Sequence, residues 1–366
     1  MTENEIFRYF KDYLKNYTTY KKYWNYEDGV VLLGASDMYK ATGDTFYKDF
    51  VLGYLEENVD PDGKIVRYND SHPAVDNILC GRNLYFALDE TGDERYRKAL
   101  DYLMGQLKGF PRAENGSFWH KDRYPEQIWL DGLYMASVFY LDYETRFDRK
   151  EQYPDVMTQF RNVRKYMFDD EKKLYYHGYD HVKAQPWANK DTGLSSNFWS
   201  RACGWWLMAL VDALDVMSDQ IYEDYREIQD LLKEACDGML KYRSSEDGLI
   251  YQVVDHPEAE GNYTESSGSL MMAYALMKGC RLKALLPEKY LGAGREMFES
   301  ITENKLKDTG DGVKLRDICG VAGLGPDDKR DGSLEYYLSE PKKDDDSKGV
   351  GPLLMACSEY IMSSGK

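Results

Sequence analysis

The feature that most constrains this chain is a helical periodicity that recurs along almost its whole length in pairs of segments. One segment of each pair is rich in small and apolar residues, and the next is more charged. Apolar residues spaced by three and four positions predict helices, whereas the alternation typical of strands is rare. Related phrases repeat, such as "TGDTFYKDFVLGYL" and "TGDERYRKALDYLM". The pattern therefore predicts an all-α fold built from helical hairpins.

The pattern predicts two sets of helices that differ in polarity. The apolar helices are expected to lie inside, because a helix that is hydrophobic on most sides must be buried. They cover residues 28–42, 77–91, 131–147, 199–217, 266–280 and 350–362. The more polar helices cover residues 3–17, 44–58, 93–108, 154–167, 221–243 and 287–304.

The hairpins can be arranged either as a ring or as an open array. We predict a closed ring, an (α/α)6 barrel that spans residues 1–366 as a single domain. An open solenoid needs polar caps at both ends, and the apolar final helix suits that role poorly. The N-terminal helix is free to pair with that final helix. No Pro-rich or Gly/Ser-rich linker divides the chain.

The charge balance excludes several classes of partner. The formal net charge is −17, which argues against nucleic acid and anionic membranes as partners. A small anionic ligand at a local cationic site remains compatible with this charge. The chain has no apolar run of about 18 residues, so we expect no membrane span. The charged N-terminal segment lacks a secretory apolar region and favours a cytoplasmic protein, either a monomer or a homo-oligomer.

Metal, nucleotide and disulfide chemistry are not indicated by the motifs. The six cysteines are scattered and form no CxxC pair, which predicts reduced, buried thiols. The five histidines show no HExxH spacing, and neither GxGxxG nor GxxxxGK[ST] occurs. We therefore expect no metal and no cofactor.

The loops that precede the apolar helices hold the candidates for chemistry. The N-termini of the inner helices share one face of a ring, so these loops converge there. Asp76, Asp131 and Arg201 each open an inner helix. Singly, both aspartates suit helix caps, and Arg201 suits a structural ion pair. Together they favour a sugar pocket, because histidines and flat tryptophan rings surround them: His72, His120, His177, His181, Trp119, Trp129, Trp187, Trp199, Trp205 and Trp206.

Three phrases carry a family resemblance, which runs over about residues 24–280. They are "GSFWHKDRYPEQIWLDGLYM", "LYYHGYD" and "NFWSRACGWWLMAL". They resemble the unsaturated rhamnogalacturonyl hydrolases of glycoside hydrolase family 105, and secondly the unsaturated glucuronyl hydrolases of family 88. The resemblance implies an (α/α)6 barrel and metal-free removal of a 4-deoxy-Δ4,5-unsaturated uronic acid from small oligosaccharides left by polysaccharide lyases.

The resemblance also implies roles for individual positions. Asp131 matches the catalytic acid/base, and Asp76 matches a second active-site carboxylate. The expected substrate-binding residues are His120, Lys121, Trp129, His177, Arg201 and Trp205.

Other functions stay open on the sequence alone. One alternative is a glucuronyl hydrolase acting on glycosaminoglycan-type disaccharides. Others are a sugar epimerase or isomerase on the same ring, and a non-catalytic helical-repeat binding protein. The long acidic segment 305–349 contains Tyr336 and Tyr337. This segment either reaches over the pocket or forms an ordinary excursion between helices.

Overall fold

The computed structural model describes residues 2–326 and 328–364, and helices dominate it. The α-helices are α1 (Glu3–Lys15), α2 (Tyr26–Thr42), α3 (Thr45–Asn58), α4 (Asp76–Leu79), α5 (Arg82–Thr91), α6 (Glu94–Lys108), α7 (Leu130–Gly132), α8 (Val138–Arg146), α9 (Tyr153–Met167), α10 (Ser200–Val216), α11 (Tyr222–Leu240), α12 (Ser266–Arg281), α13 (Pro287–Asn304), α14 (Leu334–Ser339) and α15 (Ser347–Ser363).

The helices alternate between an inner ring and an outer layer. The inner positions are occupied in chain order by α2, α4 with α5, α7 with α8, α10, α12 and α15, and each packs against the next. The outer helices α3, α6, α9, α11 and α13 bury one face and expose the other. Inner helices α10 and α12 are buried along almost their whole length. The fold is therefore an (α/α)6 barrel, as the periodicity predicts.

The ring closes where α15 meets α2, and glycines permit the close approach. A Cβ on Gly34 would lie 2.7 Å from the Gly351 carbonyl oxygen. A Cβ on Gly351 would lie 2.8 Å from the Val30 carbonyl oxygen. Helix α1 lies outside this seam, where Tyr13 and Ser347 bring their hydroxyl oxygens to 3.3 Å. The final helix is thus part of the ring rather than the end of an open solenoid.

Two inner positions differ from the continuous helices that the sequence predicts. The helix expected at 77–91 is divided between α4 and α5 at Cys80 and Gly81, where the backbone stays helical (φ −59°, ψ −25° at Cys80). The helix expected at 131–147 contains a π-helical stretch, Leu133–Ser137, between α7 and α8. Such single-turn widenings are frequent at functional sites, and this one begins two residues after Asp131.

Short antiparallel strands decorate the loops: β1 (Gln127–Trp129), β2 (Phe168–Asp169), β3 (Leu174–Tyr175), β4 (Gly178–Asp180), β5 (Leu306–Asp308), β6 (Val313–Leu315), β7 (Ile318–Cys319) and β8 (Lys342–Lys343). They pair as β1–β4, β2–β3, β5–β6 and β7–β8. Only the β2–β3 and β5–β6 pairs are local hairpins. The other two join segments that are distant in the chain, so periodicity could not predict them.

Two further sequence expectations bear on the chain as a whole. All six cysteines are free and buried, which confirms the prediction of buried thiols. Within residues 2–326 and 328–364, no helix is long and apolar enough to cross a membrane.

Candidate functional site

The β1–β4 pair brings Asp131 and His177 together at the N-terminal face of the ring. Trp129 in β1 lies opposite Gly178 in β4, and the Leu130 amide donates to the His177 carbonyl at 3.0 Å. Asp131 directly follows this ladder in α7, and His177 directly precedes β4. As a result, His177 Nε2 lies 3.4 Å from Asp131 Oδ2.

A second pairing places Asp76 beside Lys121 and His120. The Val75 amide donates to the His120 carbonyl at 3.2 Å, and Ala74 forms a β-bridge with Lys121. This fixes the start of α4 against the loop that carries both basic residues. Lys121 Nζ is 2.6 Å from Asp76 Oδ2, and His120 Nε2 is 3.6 Å from Asp76 Oδ1.

Asp76 and Asp131 both act electrostatically on His120. Burial lowers the pKa of His120 to about 4, although Asp76 and Asp131 both act to raise it. Burial acts to raise the pKa of Asp76, but the charge and hydrogen bond of Lys121, together with His120 and Lys21, outweigh it and the pKa is lowered. At neutral pH His120 is therefore an uncharged ring, whereas Asp76 is ionised and paired with Lys121.

Aromatic rings enclose these groups. Trp129 stacks on His120 with ring centroids 4.4 Å apart, and its edge meets His177 at 5.4 Å. Deeper in the ring, Trp205 stacks on Tyr134 at 5.0 Å and meets the edge of Tyr26 at 6.3 Å. The site thus has flat apolar walls around polar groups, which is the character of a pocket for small polar ligands.

A cavity of about 370 Å³ opens beside Asp76. Its lining includes Lys21, Tyr26, Asp76, Lys121 and Arg123. Lys21, which pairs with Glu27 at 2.6 Å, Lys121 and Arg123 thus bring three basic side chains to the cavity. This local concentration of cations contrasts with the net charge of the chain and suits an anionic ligand.

Arg201 is sequestered rather than open to the cavity. Its side chain is 1% exposed, and Nε donates to Ser267 Oγ at 2.8 Å. Nη2 donates to the Cys319 carbonyl and lies 3.6 Å from Glu265 Oε1. The structural ion pair considered from the sequence is therefore present. The expectation that Arg201 also contacts substrate remains a prediction.

The hypothesis that Asp76 and Asp131 are helix N-caps is wrong. The residues at the N-cap positions of α4 and α7 are Val75 and Trp129, and neither forms a side-chain capping bond. Asp76 and Asp131 lie inside the first turns, where their side chains face Lys121, His120 and His177 instead.

Only some of the sequence candidates converge. His72 lines the cavity beside Asp76, but it is exposed, with Nδ1 3.5 Å from Asp122. His181 lies beside Tyr179 and Asn115, and His256 lies beside Asp255. Trp206 points outward, where it packs on Phe160 at 5.7 Å. A helix turns by about 100° per residue, so Trp205 and Trp206 cannot both face the axis.

The structure adds residues that the sequence analysis did not select. Tyr26 and Glu27 open α2, Ser267 opens α12, and Lys348 opens α15. All are first-turn residues of inner helices, as Asp76, Asp131 and Arg201 are. A search of the first turn of every inner helix would have found these four residues. Tyr337, whose hydroxyl lies 2.6 Å from His177 Nδ1, belongs to the segment 305–349 that the sequence analysis considered for a place over the pocket, although no sequence pattern indicated its contact with His177.

Several buried polar atoms in the site lack a hydrogen-bond partner within the described part of the chain. They include Asp131 Oδ2, His177 Nε2 and His120 Nδ1. Burying such atoms unpaired is unfavourable, so their clustering marks a place where a ligand or water completes the bonding. A carboxyl group with an unpaired oxygen in such a place can exchange a proton with a bound ligand.

The described residues contain no group of three or more His, Cys, Asp or Glu side chains arranged to hold a metal ion. The basic residues beside the cavity are instead suited to an anionic group. Asp76 and Asp131 are the carboxylates next to these basic residues and unpaired atoms, and their catalytic roles remain predictions.

Comparison with known proteins gives three results. The protein-family model described as "Glycosyl Hydrolase Family 88" matches residues 2–364 of this chain. A solved structure of a family 105 glycoside hydrolase from C. acetobutylicum ATCC 824 has 39% identity and a TM-score of 0.93, and the match covers 98% of this chain and 99% of that one. The unsaturated rhamnogalacturonyl hydrolase YesR of Bacillus subtilis is 27% identical over 278 residues, which are 74% of this chain and 75% of YesR.

A more distant likeness concerns the fold alone. The unsaturated glucuronyl hydrolase from Bacillus sp. GL1, responsible for the degradation of glycosaminoglycan, is 15% identical with a TM-score of 0.66. The match covers 95% of this chain and 92% of that one.

Proposed function

Because the chain belongs to Glycosyl Hydrolase Family 88 and is an unsaturated uronyl hydrolase of the family 88 and 105 type, we propose that it acts on rhamnogalacturonan-type oligosaccharides. It removes the 4-deoxy-Δ4,5-unsaturated galacturonyl unit from the non-reducing end of fragments made by polysaccharide lyases. The similarity to YesR, an unsaturated rhamnogalacturonyl hydrolase, supports this choice of substrate.

The observation that carries the proposal is the unpaired oxygen of Asp131 beside His177. In the proposed reaction Asp131 donates a proton to C4 of the substrate's enol ether, which develops positive charge at C5. Water adds its oxygen at C5 and returns a proton to Asp131. The resulting hemiketal opens by breaking the bond from C5 to the ring oxygen, and the glycosidic bond at C1 then breaks and releases the remaining sugar.

Asp76 has a different role in this scheme. It is ionised and held by Lys121, so it is suited to accept hydrogen bonds from ring hydroxyl groups and to stabilise positive charge at C5. Lys21, Lys121 and Arg123 line the cavity and are the candidates for binding the substrate's carboxylate, whereas contact by the sequestered Arg201 stays a prediction. The net charge of −17 suits a short fragment better than a pectin chain, in agreement with a cytoplasmic role.

The test is a direct comparison of two Δ4,5-unsaturated disaccharides. The first disaccharide is unsaturated galacturonyl-rhamnose, and the second is unsaturated glucuronyl-hexosamine of the glycosaminoglycan type. Loss of absorbance from the conjugated double bond reports the reaction for both. We expect a higher kcat/KM for the first substrate, and the opposite preference would assign the protein to glycosaminoglycan fragments. If the absorbance of neither substrate falls, the proposed function is rejected.

A further inference from the structure

Tyr337 lies at the back of His177, on the side opposite Asp131. Tyr337 belongs to α14, within the long segment between α13 and α15, 160 positions from His177 along the chain. Its hydroxyl oxygen is 2.6 Å from His177 Nδ1, and both side chains are fully buried. The imidazole thus lies between a phenol hydrogen-bonded to one nitrogen and a carboxyl oxygen 3.4 Å from the other.

The segment that carries Tyr337 is fixed by contacts to several parts of the barrel. Asn197 Nδ2 donates to the Gly332 carbonyl at 2.8 Å, and Ser333 caps α14 by accepting from the Tyr336 amide at 3.1 Å. The Tyr337 ring lies nearly parallel to Trp199, with centroids 6.2 Å apart. The phenol is therefore presented to His177 by a clamped element.

The positions of the protons follow from which groups can be satisfied. Among the described residues, His177 Nδ1 is the only hydrogen-bond partner of the Tyr337 hydroxyl. If His177 donated from Nδ1, the phenol's own proton would be buried without an acceptor, which is unfavourable. The phenol therefore donates, Nδ1 accepts, and the neutral imidazole carries its proton on Nε2. Burial also raises the pKa of Tyr337 well above its ordinary value, so the donor keeps its proton.

We infer that Tyr337 is a positioning residue that fixes His177 as an Nε2–H donor directed at Asp131. The inference rests on the proposed function for its catalytic consequence. Nε2–H stabilises the Asp131 carboxylate that exists after the proton has passed to the substrate. In the other tautomer an Nε2 lone pair would face that carboxylate and repel it. His177 Nε2 and Asp131 Oδ2 are 3.4 Å apart, and catalytic hydrogen bonds that are long without substrate commonly shorten when substrate binds.

The first measurement concerns the tautomer and needs no substrate. Nitrogen-15 NMR of histidine-labelled wild-type protein at neutral pH should report the Nε2–H tautomer for His177, assigned by its loss in His177→Gln. In Tyr337→Phe this single tautomer should give way to a mixture or to the Nδ1–H form. An Nδ1–H tautomer in the wild type would overturn the inference, and so would an unchanged tautomer in a folded Tyr337→Phe.

The second measurement concerns the rate. Tyr337→Phe should lower kcat by about tenfold, the effect of losing one hydrogen bond of ordinary strength, while KM changes less than kcat. In the background of His177→Gln the same substitution should have little further effect, because Tyr337 acts through the imidazole. An undiminished effect in that background would contradict the inference.

Tyr336→Phe is the matched control. Tyr336 is the neighbouring tyrosine of α14, but its hydroxyl donates to Glu340 at 2.7 Å and accepts from the Gly323 amide at 2.9 Å. Its loss should leave both the His177 tautomer and kcat unchanged. Equal loss of kcat in both variants would indicate a general effect of α14 and overturn the inference. If the wild type hydrolyses no unsaturated disaccharide, the proposed function fails, whereas the tautomer measurement still decides the inference.

Discussion

The barrel has two mouths, one where the inner helices begin and one where they end, and each contains an aspartate of an inner helix. Asp212 is buried, whereas the Asp131 side chain is 15% exposed, and the two differ in how their oxygens are paired. At the C-terminal mouth, Asp212 accepts hydrogen bonds from Arg82 at 2.7 Å, Lys278 at 2.8 Å and Tyr274 at 2.7 Å. At the N-terminal mouth, Asp131 Oδ2 has no hydrogen-bond partner within residues 2–326 and 328–364.

The partners of Asp212 also fix its charge state. Burial acts to raise the pKa of Asp212, but Lys278 and Arg82 outweigh it and lower that pKa far below its ordinary range. Asp212 is therefore a fixed anion in a bonded network. A chain of side-chain contacts joins the two mouths. Arg82 lies 4.8 Å from the Tyr134 ring, and Tyr134 stacks on Trp205.

The comparison teaches how to separate a structural carboxylate from a candidate catalytic one. A buried ion pair whose atoms are all satisfied favours one folded arrangement, and removing one partner leaves the others uncompensated. A buried carboxyl group with an unpaired oxygen contributes less to stability and remains available to a ligand. Four substitutions test this separation.

Asp131→Asn should have the largest effect on activity. The asparagine keeps the size of the side chain but cannot exchange the proton, so the rate should fall by about 1,000-fold, within the usual range for a general acid–base group. The midpoint of thermal unfolding should change little. Loss of the conjugated double bond and a thermal melt measure the two effects, and a variant that keeps a tenth of the wild-type rate would contradict the role of Asp131.

Asp212→Asn should give the opposite result. Removing the charge leaves Lys278 and Arg82 buried with an incomplete partner, so the free energy of unfolding should fall by about 3 kcal/mol. Among molecules that remain folded, kcat should stay within about twofold of the wild type. Denaturant unfolding and activity at low temperature test both parts. A large loss of kcat without loss of stability would show that the two mouths are not separable.

His120, one of the two buried histidines of the site, predicts how stability depends on pH. The pKa of His120 is about 4 when folded, against about 6.5 for an unfolded chain. The unfolded state thus binds the proton more readily, so stability is lost as the pH falls from about 6.5 towards 4, by about 3 kcal/mol in total. Asp76, with its lowered pKa, adds a further loss below about pH 4. Denaturant unfolding of wild type and His120→Gln over this range should give a shallower decline for the variant.

Lys121→Met should have the smallest of these effects. It removes a cation beside the cavity and the partner of Asp76, so KM for the unsaturated disaccharide should rise by about tenfold. Lys233→Met is the control, because Lys233 pairs with Asp230 on the outer surface. Steady-state kinetics would contradict the assignment if the two variants behaved alike.

Part of this architecture was predictable from local sequence. The helix boundaries agree with the periodicity to within a few residues in most elements, because the spacing of apolar residues is a local property that burial then enforces. Asp76 and Asp131 were selected because they precede apolar helices, and the structure places both at one face. The cap role considered for them was wrong, since a capping bond competes with stronger partners such as Lys121 that come from other segments.

The amino-acid pattern alone predicted the alternation of inner and outer helices, and it fixes the net charge of −17. The contact of His177 with Asp131, the place of Tyr337 behind His177 and the inward direction of Trp205 rather than Trp206 came from the folded ring. These choices depend on backbone pairing between distant strands and on the rotation of a helix against its neighbours. No local spacing of residues encodes such contacts, because they become favourable only when the ring closes and excludes water.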